Sequence, residues 1–137
     1  MAIKIAPLNF TLITALVLIS VVSVSGQTTT DASKNTVITD SAFRKTIKEN
    51  PVVIADFYEK WCGACRMQAV IMDSIANEQK GKIVVLKVLV DDNKNLTDKM
   101  LVSSYPTLLL YKNGKQVWRS EGIMPKYIIA DAIKTKE

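Results

Sequence analysis

The sequence of 137 residues contains no histidine. That absence excludes Ser-His-Asp and Cys-His catalysis, and any Cys/His zinc site built within one chain. Charge of neither sign gathers into a block. The 18 basic and 13 acidic residues are interleaved and leave a net +5, so no nucleic-acid footprint is present. There is no internal repeat, and cysteine occurs only twice. Chemistry is left to carboxylates, lysines, hydroxyls and that single cysteine pair. The remaining composition, 48% hydrophobic and 23% charged, is that of a globular chain, and the length suits one domain.

Residues 1–30 carry one charge, Lys4, followed by an apolar stretch through Val24. Lys4 as a thin positive region, Leu12–Val22 as an apolar core and Val24-Ser25-Gly26 as a small-residue exit predict a secretory signal over residues 1–26. An uncleaved membrane anchor is the rival reading, since a span needs roughly 20 predominantly apolar residues. Asn9, Thr11, Thr14, Ser20 and Ser23 interrupt the run, and no basic residues follow it directly. No cysteine lies near the exit for lipid attachment. Either reading predicts an extracytoplasmic protein, periplasmic or secreted. Residues 27–35 form a short Thr/Ser-rich polar leader, and the domain proper is expected over 36–137.

Within that domain helical and strand patterns alternate. Thr39 or Asp40 can cap a helix to Glu49, with Phe43 and Ile47 on one face. Asn50-Pro51 ends it and opens the run Val52–Tyr58, whose continuous apolar character predicts a strand buried on both faces. A helix is expected from Cys62 to Gln79, ending near Gly81, with Met67, Val70, Ile71, Ser74 and Ile75 on one side. Ile83–Val90 reads as a second buried strand, and Asp91–Val102 as polar at first and helical in its second half. Thr107–Tyr111 and Gln116–Ser120 flank Asn113-Gly114, a strong hairpin signal. Pro125 suits the first turn of a last helix reaching Lys134. This order predicts an α/β fold with a central mixed sheet flanked by helices.

The two cysteines sit in Trp61-Cys62-Gly63-Ala64-Cys65, where the first buried strand meets its helix. At a helix N-terminus, unpaired N–H groups and the helix dipole stabilise a thiolate on Cys62. Cys65, one turn later on the same face, can attack a mixed disulfide formed there. Two other readings stay open. A structural disulfide closing so small a loop would stabilise little, and two thiolates are half a zinc shell, needing a second chain to complete it. Asp56 interrupts its apolar run, and burying an unpaired carboxylate is costly. From pattern alone it is either a buried functional acid or a strand-end carboxylate reaching water. Lys87 likewise interrupts its strand and suits a solvated face equally well.

Ala55-Asp56-Phe57-Tyr58-Glu59-Lys60-Trp61-Cys62-Gly63-Ala64-Cys65-Arg66-Met67 resembles the active-site strand and turn of the thioredoxin family. Tyr105-Pro106-Thr107-Leu108-Leu109-Leu110-Tyr111-Lys112-Asn113-Gly114 is similar to the same family's cis-proline strand and hairpin, and Gly122 falls where the family keeps a glycine beside its substrate groove. The resemblance spans nearly all of residues 36–137. It implies a thioredoxin fold and a protein-disulfide oxidoreductase whose only redox group is the Cys62–Cys65 pair, with no metal or other cofactor. It further implies an exposed attacking Cys62, a shielded resolving Cys65, Asp56 as the buried carboxylate serving Cys65, and Lys87 as the lysine near that acid. Trp61, Gly63, Ala64, Tyr105, Pro106 and Gly122 would form the substrate surface, with a cis Pro106 aiming the Tyr105 backbone at an extended peptide.

Several positions depart from the family pattern. Ala64 replaces the proline of the CGPC form, and Val70 replaces a helix-kinking proline, which predicts a straighter helix. Tyr58 stands for a tryptophan, Ser104 for a glycine, and Lys60 for an acid. The leading expectation is an extracytoplasmic reductase of protein disulfides, monomeric and re-reduced by a membrane dithiol relay, because its compartment is oxidising. A disulfide-introducing oxidase or isomerase, or a non-enzymatic thiol or metal-binding module, are the alternatives.

Overall fold

The computed structural model describes residues 38–135. The expected signal segment and polar leader, and with them the first residues of the domain, lie outside the described residues. Eight elements follow in order: α1 Asp40–Glu49, β1 Val52–Tyr58, α2 Gly63–Glu78, β2 Val84–Leu89, α3 Lys94–Lys99, β3 Thr107–Lys112, β4 Lys115–Glu121 and α4 Lys126–Thr135. Thr39 caps α1 by accepting from the Ala42 N–H at 3.1 Å, satisfying one of the donors that a helix start leaves open.

The sheet runs β2-β1-β3-β4. β1 and β2 are parallel, so the chain must cross from one end of the sheet to the other between them, and α2 makes that crossing. The other pairings are antiparallel. β1 occupies the interior of the sheet, and Val53 through Phe57 are essentially inaccessible, as the unbroken apolar run predicts. Alternation along β1 sorts its side chains. Val53, Ala55 and Phe57 join Phe43 and Ile47 of α1 and Leu96 of α3 on one face, where the Phe43 ring meets Phe57 and Tyr111 edge-on. Ile54 joins Met72 and Ile75 of α2 and Ile129 and Ala132 of α4 on the other. Asp56 shares the parity of Ile54 and therefore belongs to the α2/α4 side.

The hairpin forms at Asn113-Gly114, with φ of 51° and 81°. Two successive positive φ values are the two-residue hairpin geometry that favours this dipeptide. Pro125 directly precedes α4, and its carbonyl accepts from the Ile128 and Ile129 N–H groups.

Three expectations need correction. β2 is an edge strand, half-buried over Val84–Leu86 and open at Lys87; its apolar run meets one neighbour rather than two. α3 begins earlier than expected, because buried Asn93 organises its start. The Asn93 carboxamide donates to the Leu89 carbonyl at 2.8 Å and accepts from the Ile38 N–H at 3.0 Å. On α2 the inward face is Cys65, Gln68, Met72 and Ile75, whereas Met67 and Val70 are 58% and 70% exposed. The rotation of α2 is set by its junction with β1 at the cysteines, not by the placement of its most apolar residues.

Candidate active site

The site lies where β1 runs into α2. Cys62 is the N-cap of α2, with extended backbone, and its Sγ accepts from the Cys65 N–H at 3.0 Å. The two cysteines form a disulfide with Cα atoms 5.2 Å apart, and both are nearly covered, 7% for Cys62 and 3% for Cys65. The expected contrast between an exposed and a shielded thiol is therefore slight in the disulfide state. Opposite them the Tyr105–Pro106 peptide bond is cis, and the Tyr105 carbonyl oxygen stands 3.7 Å from the Cys62 Sγ. The Pro106 carbonyl accepts from the Gly122 N–H at 2.8 Å, so Gly122 is joined directly to the cis-proline loop. Gly122 has φ +79°, a conformation that strains any residue with a Cβ.

Trp61 is 73% exposed. Its ring stands edge-on to that of Tyr105, centroids 6.4 Å apart. Gly63 and Ala64 fill the turn, and a Cβ at Gly63 would meet the Arg66 guanidinium at 3.6 Å. The helix begun by this turn is uninterrupted to Glu78, passing Val70 without a break.

Asp56 is 2% exposed, and its Oδ1 has no hydrogen-bond partner. Burial pushes its carboxyl up to about 7; the Lys87 ammonium opposes this and the Asp73 carboxylate adds to it. Of the two pattern readings of Asp56, the strand-end carboxylate in water is the one the structure rejects. Lys87 is its register partner across the β1/β2 pairing. The Lys87 Nζ, however, is bonded to the Asp73 Oδ1 at 2.6 Å, on an exposed stretch of edge strand. The lysine expected near the acid thus lies beside it while holding another carboxylate.

Other polar groups close to the site escaped the sequence reading. Gln68 is fully buried, and its Oε1 accepts from the Met124 N–H at 2.7 Å, tying α2 to the segment after Gly122. Counting inward positions from Cys65 at helical spacing would have found it. Glu121 accepts from the Ser104 hydroxyl at 2.8 Å and from Arg119 at 2.9 Å. Those partners, Ser104 first, hold its carboxyl below the usual range. Arg119 also donates to the Met100 and Leu101 carbonyls, at 3.0 and 2.7 Å. This network braces the loop that ends at Tyr105-Pro106 against β4, and it depends on contacts between segments distant in sequence. Glu59, 4% exposed, has its carboxyl raised by burial and then by Asp91.

A disulfide at a helix cap, facing a cis proline and following directly on a strand that carries a buried acid, defines a site for thiol–disulfide exchange, and the class is that of the CxxC oxidoreductases. The thioredoxin family model matches residues 34–135. The chain is 40% identical over 97 residues to a thioredoxin of Rickettsia felis, covering 70% of this chain and 92% of that one. Among solved structures it is similar to a mutant thioredoxin from Halobacterium salinarum, with 31% identity, a TM-score of 0.66, and 71% and 84% of the two chains covered. A Plasmodium falciparum thioredoxin gives 31% identity, a TM-score of 0.64, and 71% and 93%. The chain belongs to the thioredoxin family. It is a thiol–disulfide oxidoreductase whose redox group is the Cys62–Cys65 pair, acting on protein disulfides together with a reductant.

The raised Asp56 carboxyl has a consequence for stability. Between its ordinary value of 3.8 and about 7, the folded protein keeps a proton that the unfolded chain has released. Stability from this group is then complete at low pH, falls as pH rises through that window, and is level above it. Asp56→Asn is expected to stabilise the disulfide form at pH 8 by on the order of 4 kcal/mol and to change little at pH 4. Denaturant unfolding at the two pH values measures the difference; equal effects at both would show that Asp56 ionises freely in the fold.

Proposed function

We propose that this protein reduces protein disulfides outside the cytoplasm, and that Asp56 serves Cys65 as proton acceptor. The Cys62 thiolate attacks one sulfur of a substrate disulfide, forming a mixed disulfide and releasing the first substrate thiolate, which takes a proton from water. Cys65 then passes its proton to the Asp56 carboxylate and attacks the Cys62 Sγ. The second substrate sulfur leaves as a thiolate, and the Cys62–Cys65 disulfide forms. One disulfide is reduced and one is made, and an external dithiol must return the pair to the reduced state. The single observation that carries this reading is the acid buried in the sheet, its Oδ1 without a partner, on the face covered by α2, the helix whose buried residues include Cys65.

The surface around the sulfurs suits an extended peptide. The Tyr105 backbone beside Cys62 offers a strand-like pairing edge, the exposed Trp61 ring provides an apolar lip, and Gly63, Ala64 and Gly122 leave room for a chain to approach. Lys87 enters as the charge opposite Asp56. The outward location is supported by the signal-like pattern of residues 1–26. In an oxidising compartment the reductant would be a membrane dithiol relay, and the working unit a monomer.

The reducing direction is supported by what stabilises the Cys62 thiolate. No histidine is available, and Lys60 and Arg66 are exposed, where single charges are worth no more than about 1 kcal/mol. The span from thioredoxin to the most oxidising relatives is roughly 150 mV, or about 7 kcal/mol. The cysteine pair is therefore expected between roughly −270 and −200 mV. Equilibration with glutathione buffers followed by mass spectrometry of alkylated Cys62 and Cys65 reads it, and a value near about −120 mV would make the protein an oxidase.

Partner and compartment are tested together by expressing the full chain with Cys65→Ser in a bacterium with a periplasm. Mixed disulfides on Cys62 should accumulate with exported proteins and be absent with Cys62→Ser. Adducts confined to cytoplasmic proteins would contradict the location, and adducts formed only when Cys62 is the substituted residue would reverse the two roles.

A further inference from the structure

Asp73 lies on α2, two turns beyond the cysteines, and nothing in the exchange reaction calls for it directly. Its Oδ1 nevertheless takes the Lys87 ammonium at 2.6 Å. Lys87 is the residue directly across the parallel pairing from Asp56, and two residues along β2 from Val85, which packs on the α2 side of the sheet. A lysine stem starting there can serve the buried acid or reach outward to α2. In this structure it reaches outward, and Asp56 Oδ1 is left without a partner. The Lys87 side chain is about one-third exposed and that of Asp73 60% exposed, so the pair sits at the rim of the sheet.

We infer that Asp73 is a positioning residue that holds the Lys87 ammonium off Asp56, so that the cation serves the exposed carboxylate rather than the buried one. Two carboxylates compete for one cation. The exposed carboxylate holds it at lower desolvation cost, because drawing Lys87 fully under α2 would strip water from its charge. Asp73 then acts on Asp56 twice, by its own negative charge and by withdrawing the positive one. The charged groups facing Asp56 act in opposite directions: Lys87 from β2 favours its ionised form and Asp73 from α2 disfavours it. Tyr58 shares its strand and feels the Asp56 charge, while the β3 register partner is the apolar Leu108. The effect on catalysis rests on the proton-acceptor role proposed above for Asp56; the effect on its titration does not.

The test is a carbon NMR titration of the Asp56 side-chain carboxyl in the full-length disulfide form, for the native protein, Asp73→Asn, Lys87→Gln and the double variant. Asp73→Asn should lower the Asp56 midpoint by about half a pH unit or more, Lys87→Gln should raise it, and Asp73→Glu should restore the native value. In the Lys87→Gln background the effect of Asp73→Asn should shrink, because there is no ammonium left to release. An unchanged midpoint in Asp73→Asn would overturn the inference, and so would a shift of the same size with and without Lys87, which would reduce Asp73 to a bystander charge. The pH profile of mixed-disulfide resolution, recorded on the same variants, should move with the midpoint. If the titration moves and the kinetic profile does not, the positioning by Asp73 stands and the catalytic role given to Asp56 falls.

Discussion

A carboxyl group at the centre of a sheet must either find partners or give up its charge. Asp56 sits on β1, with parallel β2 on one side, antiparallel β3 on the other and α2 over its face. No donor reaches its Oδ1, and ionisation there is costly enough to move the group toward neutral pH. A stable core would favour an apolar residue at this place. In the proposed mechanism the liability becomes useful, because Cys65, buried on the helix that covers this face, must lose a proton.

Much of the surrounding architecture keeps that arrangement fixed. The crossover from β1 to β2 places the start of α2 at the end of the strand carrying Asp56, so strand, cysteine turn and helix are one continuous piece of chain. Cys62 both caps the helix and bonds to Cys65. Across from it, the cis-proline loop is held by the Pro106–Gly122 bond and by the Ser104–Glu121–Arg119 network, which fastens onto the carbonyls ending α3. Gln68 ties the inward face of α2 to the segment after Gly122. The two sides of the sulfur pair are thus braced from different elements, and only exposed Trp61 and its neighbours face outward.

The order of elements was legible because local signals agreed with it: the Thr39 cap, the doubly buried run of β1, the Asn113-Gly114 turn and Pro125 before α4 each act within a few residues. The cysteine pair and Pro106 were legible because their motifs are local as well. The features that were not legible depend on neighbours far along the chain. The edge position of β2 follows from strand order, which no property of Val84–Leu89 encodes. The phase of α2 is hidden in its sequence because Met67 and Val70 are apolar yet face outward, while polar Gln68 faces in. The Arg119–Glu121–Ser104 brace and the Lys87–Asp73 pair join residues that approach one another only once the sheet and α2 are assembled.

Whether Asp56 takes the proton from Cys65 is read by stopped-flow measurement of mixed-disulfide resolution between pH 5.5 and 9, comparing the native protein with Asp56→Asn. The native rate should climb through a midpoint near 7, following Asp56 ionisation. The Asn variant should resolve more slowly at neutral pH and lose that midpoint, while the first attack by Cys62 changes less. Resolution that keeps its native rate and midpoint in Asp56→Asn would contradict the account.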